Sequence, residues 1–126
     1  MRRQTRQYIC AELLNFQRSK NELARTRVKL DDLQLFPAYS SDYTAEQRMY
    51  LQDCLHFLQK ITEAISVIYR EATPEQRRIV EMKFWGVKPR PTDYQIADAL
   101  NMSVSTYYRE INTICRRIAM RMGMDI

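Results

Sequence analysis

The chain has 126 residues, 20 Lys and Arg against 15 Asp and Glu for a net charge of +5, and 45% hydrophobic residues. That apolar content builds a core and excludes wholesale disorder, while two Gly and four Pro are too few turn formers for a hairpin-rich β architecture. A single His and three Cys without CxxC spacing leave no His-based metal site, no disulfide framework and few catalytic options.

Charge is segregated along the chain. Residues 1–30 carry eight positive and two negative side chains, residues 31–71 three and seven, and residues 72–126 nine and six. Two basic ends flank an acidic middle, which assigns different tasks to different segments. No apolar run approaches the roughly 20 residues of a membrane span, and the arginine-rich beginning lacks the apolar stretch of a signal peptide. The expectation is a cytoplasmic protein with no membrane contact.

From about Arg3 to Leu33 there is neither Gly nor Pro, and Ile9, Leu13, Phe16, Leu23, Ala24 and Val28 recur near three-and-four spacing. That spacing predicts one long amphipathic helix. Its stripe is narrow and interrupted by Lys20 and Arg27, which suits packing on a partner helix, within the chain or across a dimer. Pro37 and the small polar residues up to Asp42 predict a linker. A second helix is expected after Thr44 as N-cap, with Leu51, Leu55, Leu58, Ile61, Ile65 and Ile68 as an apolar seam. Thr73, Pro74 and Gln76 then supply a cap, a first-turn proline and a capping box for a third helix, which Gly86 stops. Two prolines keep the following loop extended. Thr92 or Asp93 caps a short fourth helix, and Ser103 caps a fifth that runs to about Met122.

Residues 92–117 read TDYQIADALNMSVSTYYREINTICRR. Two helices that cross closely need a small residue at the crossing, here Ala97, with Ile96 and Leu100 fixing it. The turn needs a left-handed residue, here Asn101, then an apolar plug, Met102, and a cap, Ser103. The next helix buries Tyr107, Ile111, Ile114 and Ile118 and leaves its other face polar. These features in register predict a helix-turn-helix. The candidate DNA-binding residues are Ser103, Ser105, Thr106, Tyr108, Arg109 and Asn112 on the recognition helix, Arg116 and Arg117 beyond them, and Lys88 and Arg90 in the preceding loop. Arg, Ser and Asn suit base edges or phosphates, and Tyr suits phosphate or a thymine methyl.

On these residues the chain resembles known proteins. Pro74-Glu75-Gln76-Arg77-Arg78 is similar to the opening of the region-4-like helix-turn-helix of sigma factors. Phe84-Trp85, Tyr94-Gln95-Ile96-Ala97 and Ser103-Val104-Ser105-Thr106-Tyr107-Tyr108-Arg109 resemble phage late-gene transcriptional regulators of the ArpU and RinA type. The likeness is good over residues 73–112. It implies a small phage or prophage activator that binds promoter DNA, and the chain has no room for a sigma factor's promoter-melting region.

The expected fold is therefore all-α: a long N-terminal helix plus a helical bundle ending in a sigma region-4-like helix-turn-helix. Residues 1–36 form a basic amphipathic helix for assembly or partner contact, 37–72 a linker and connecting helix, and 73–126 the DNA-binding domain. The expected partner is double-stranded DNA, with homodimerisation through the N-terminal helix and contact with host RNA polymerase as further expectations. No cofactor, metal or enzymatic activity is expected. His56 reads as a helix-surface or packing residue, the three cysteines read as buried thiols, and no Gly-rich phosphate loop is present. The alternative is a DNA-packaging protein like the small subunit of phage terminases, also a small helical protein that joins a helix-turn-helix to an oligomerising part.

Overall fold

A computed structural model describes residues 1–35 and 42–124, without the side chains of 34, 35 and 42–44. It contains six α-helices: α1 (Arg3–Leu14), α2 (Phe16–Leu35), α3 (Asp42–Glu71), α4 (Pro74–Lys83), α5 (Asp93–Ala99) and α6 (Val104–Arg121). The fold is all-α, and no strand occurs among the described residues. None of these helices is long and apolar enough to cross a membrane.

The first departure from expectation is at the N-terminus, where one predicted helix is two. Asn15 (φ −94°, ψ 10°) closes α1, its N–H bonding to the carbonyls of Ala11 and Leu13. The buried positions explain the break. Thr5, Ile9 and Leu13 are buried on α1, and Thr26 and Leu30 on α2. Continued as one straight helix at about 100° per residue, the second set would be centred roughly 80° from the first, so the buried face shifts around the axis across the break. Val28, assigned to the stripe, is 59% exposed.

A second departure concerns helix ends. α3 begins at Asp42, two residues ahead of Thr44, so Thr44 is inside the helix rather than its cap. The expected linker at 36–41 lies outside the described residues. α4 ends at Lys83 with Phe84 in the right-handed region, so Gly86 is not the left-handed stop. A Cβ at Gly86 would sit 3.2 Å from the carbonyl oxygen of Met82, and close approach is what glycine serves there. Gly123 does end α6 as expected, at φ 71°. The loop between α4 and α5 contains a cis Lys88–Pro89 bond.

The chain divides into two compact units, residues 1–15 with 64–126, and residues 16–63. These are not the sequence-based segments 1–36, 37–72 and 73–126, because α1 packs with the C-terminal helices. In the first unit α6 is central and packs on α1, α4 and α5. Its Tyr107, Ile111, Cys115, Ile118 and Ala119 are each at most 1% exposed. Ile9 and Leu13 of α1, Ile79 and Val80 of α4, Ile96 and Ala97 of α5, and Ile65 and Ile68 from the end of α3 complete this core. The Cys10 thiol lies 3.8 Å from that of Cys115, and the Trp85 indole donates to the Leu13 carbonyl at 2.9 Å. The second unit comprises α2 and residues 42–63 of α3. Its buried apolar side chains are Leu30, Leu51 and Ile61, while Leu55 and Leu58 of the predicted seam are half-buried.

Candidate nucleic-acid interface

The α5–α6 pair is built from local signals. The Thr92 hydroxyl accepts from the Gln95 backbone N–H at 3.2 Å, and the Gln95 side-chain Oε1 accepts from the Thr92 backbone N–H at 2.9 Å, a reciprocal cap. Asp93 rather than Thr92 is the first helical residue, where its negative charge meets the positive end of the helix. α5 closes through Asn101, at φ 54°. The Asn101 N–H reaches the Asp98 carbonyl at 3.1 Å, and the Met102 N–H reaches that of Ala97 at 3.0 Å. This is a Schellman closure, which needs a left-handed residue at the Asn101 position. Ser103 then caps α6, accepting from the Thr106 N–H at 3.1 Å.

The two faces of α6 differ sharply. Tyr107, Ile111, Ile114 and Ile118 are buried at 4-3-4 spacing, and Ser105, Arg109, Asn112 and Arg116 are exposed at the same spacing, 4-3-4. The outward residues therefore form one stripe along the helix. Asp93 locks the inner face from the side. Its carboxylate accepts from the Lys83 ammonium at 2.7 Å, from the Tyr107 hydroxyl, and from the Tyr108 hydroxyl at 3.1 Å. Burial disfavours its charge, but the Lys83 ammonium and the two hydroxyls outweigh that and hold its carboxyl below the ordinary value. Burial and the hydrogen bond to Asp93 push the Tyr107 hydroxyl upward, and it stays protonated.

The sequence-predicted site residues fall into two groups. Ser105, Arg109, Asn112, Arg116 and, in the loop, Lys88 are exposed. Arg109 and Arg116 form no ion pair among the described residues. The others are engaged within the fold. Ser103 serves as the cap and donates to the Thr106 hydroxyl, which is half-buried. The Tyr108 hydroxyl is held by Asp93, leaving its ring edge-on to Tyr107. The Arg90 guanidinium donates to the Gly86 carbonyl at 3.2 Å, and Arg117 pairs with Glu71 at 3.1 Å. Each of these side chains would have to exchange a partner in order to meet a ligand.

Packing adds residues that spacing does not reveal. Arg3 and Arg6 of α1 line a cavity of about 480 Å³ together with Arg109, Asn112, Thr113 and Arg116 of α6. The Arg6 guanidinium lies 5.9 Å from the centre of the Tyr108 ring, a cation–π distance. The only advance signal of these two residues was the basic balance of residues 1–30. Elsewhere, His56 is exposed and Cys54 half-buried, and no group of three or more His, Cys, Asp or Glu side chains that could hold a metal ion occurs among the described residues. In comparisons with known proteins, no protein family, curated protein or solved structure matches the chain.

Proposed function

We propose that this protein is a sequence-specific DNA-binding transcriptional regulator, in which α5, the Asn101 turn and α6 form a sigma region-4-like helix-turn-helix. The observation that carries this reading is the outward stripe of Ser105, Arg109, Asn112 and Arg116 on a helix whose opposite face is fixed in a core. A recognition helix must present hydrogen-bonding side chains to base edges without yielding in position. Here Asp93, Tyr107 and the Schellman turn hold α6, and the two guanidiniums on the stripe have no competing ion pair among the described residues. Arg109 and Asn112 are assigned to base edges, and Ser105 and Arg116 to the flanking backbone. Lys88, exposed in the loop, is assigned to the backbone as well. The likeness to phage late-gene regulators makes promoter DNA the target, activation the outcome, RNA polymerase a neighbour and the bacterial host's cytoplasm the setting.

Footprinting across the genomic region around the gene tests the proposal. A protected site upstream of structural or lysis genes is the expected result, and protection at a packaging site instead would make the chain a DNA-packaging protein. On the protected site, Arg109→Ala should weaken specific binding by about 1–3 kcal/mol and relax preference at one base pair. Arg116→Ala should weaken all sequences alike and flatten the salt dependence. Binding of specific DNA unchanged in an Arg109→Ala, Asn112→Ala double variant would remove α6 as the reading helix.

A further inference from the structure

We infer that the cavity between α1 and α6 is a phosphate-binding site, in which Arg3 and Arg6 join Arg116 around one anionic group, beside the base-reading Arg109. As a contact to the nucleic-acid backbone, this inference rests on the DNA-binding reading and adds α1 to that interface. The side chains lining the cavity are four arginines, Asn112, Thr113 and Met1, with no carboxylate. Arginine stays protonated at any physiological pH, so four guanidiniums facing one space repel one another until an anion occupies it. The nearest acidic residue of α6, Glu110, is drawn off by the Gln76 amide at 2.7 Å. Planar guanidiniums match phosphate geometry in pairs.

The fold builds this arrangement and does not merely allow it. Thr5, Ile9 and Leu13 bury one face of α1, and Arg3 and Arg6, one turn apart, come to line the cavity beside α6. Arg109 and Arg116 are two turns apart on α6, about 10 Å along its axis. Arg6 is placed against the Tyr108 ring, whose hydroxyl Asp93 holds. The volume, about 480 Å³, lies in the range of small-ligand sites. It is ample for a phosphate group with part of its hydration, either a backbone phosphodiester next to the groove that α6 enters or the phosphate of a free small molecule.

The test uses the full chain, inorganic phosphate, and a mixed-sequence DNA duplex. Phosphate titrated into isotope-labelled protein should shift the side-chain Nε–H resonances of Arg3, Arg6 and Arg116, and an Arg3→Gln, Arg6→Gln variant should lose the Arg116 shift. For the duplex, the slope of log affinity against log salt should become shallower by up to about 0.9 in the double variant, the share of the one phosphate contact the site supplies. Arg3→Gln alone, at an exposed position, should produce part of that change and guards against a folding defect in the double variant. Shifts with phosphate but no change of slope would assign the site to a free phosphate compound and remove the backbone as its source. A change of slope without phosphate shifts would assign it to the backbone alone. Neither effect, in a chain that still binds the duplex, overturns the phosphate site and leaves α6 as the reader. Phosphate shifts in a chain that binds no duplex would instead overturn the DNA-binding reading and keep the site.

Discussion

The apolar seam of α3 is buried unevenly along its length. Ile65 and Ile68, in the first unit, are 1% and 5% exposed, whereas Leu55 and Leu58, in the second, are half-buried on the same helical spacing. The units also differ in how many helices contribute to their buried apolar set. In residues 1–15 and 64–126, short helices with defined ends converge on α6, and residues from all of them are buried together. In residues 16–63, two long helical segments bury Leu30, Leu51 and Ile61, while Val28, Met49, Tyr50 and Phe57 are each at least 46% exposed. Periodicity is therefore a necessary signal for burial but not a sufficient one. What converts a stripe into a core is punctuation that turns the chain back on itself, and the first unit has it at Thr73, Thr92, Asn101 and Ser103.

The largest test of this contrast is at the centre of the first unit. Tyr107 is fully buried and its hydroxyl is bonded to Asp93. Tyr107→Ala should cost about 3–5 kcal/mol, as large-to-small aromatic changes do, read as a lower urea midpoint. A loss under about 1 kcal/mol would mean that α6 is not the hub of the unit.

Asp93 comes next, since it ties α4, α5 and α6 together through Lys83, Tyr107 and Tyr108. Asp93→Asn should cost about 1–3 kcal/mol at neutral pH, the loss expected when hydrogen-bonded partners lose a charged acceptor. The folded carboxyl titrates below its ordinary value. Its contribution is thus present above the unfolded pKa, near 4, and is lost as pH falls through the lower folded value. The difference between wild type and variant should therefore shrink toward pH 3. A difference independent of pH would detach it from the carboxylate.

Asn101 tests the punctuation itself. At φ 54° a Cβ-bearing residue other than Asn is strained, so Asn101→Ala should cost about 1–2 kcal/mol. Asn101→Gly should be close to neutral, since glycine adopts that conformation freely. If Ala and Gly behaved alike, the turn would not depend on its left-handed residue.

How much of this was legible in sequence follows from where each signal resides. The Thr73–Gln76 capping box, the Asn101 turn and the Ser103 cap were readable because their chemistry lies within three or four residues, and the start of α5 was narrowed to Thr92 or Asp93 without the Gln95 partner. The outward stripe on α6 was readable by elimination once its buried face was fixed. The break at Asn15 was not, because an Asn within a Gly- and Pro-free run reads as helix. The engagement of Tyr108 by Asp93 and of Arg117 by Glu71 depends on packing between distant segments, and so does the approach of Arg3 and Arg6 to α6. Charge composition indicated that residues 1–30 are basic but not which of their arginines face the same space.

The smallest expected effect belongs to the second unit and bears most directly on why it differs. Phe57 lines a cavity of about 320 Å³ with Glu22, Thr26 and Leu51 among its other walls, yet is 46% exposed. A half-exposed ring loses only part of its contact with water on folding, and the loosely lined space around it can admit solvent, so truncation creates little new void. Phe57→Gln should therefore change stability by no more than about 0.5 kcal/mol, measured by the same urea midpoint. Amide exchange in α2 should meanwhile be faster than in α6, as expected where few apolar contacts resist local opening. A loss above about 1 kcal/mol would show that the unit depends on this side chain despite its exposure. The contrast along α3 would then be one of geometry and not of stability.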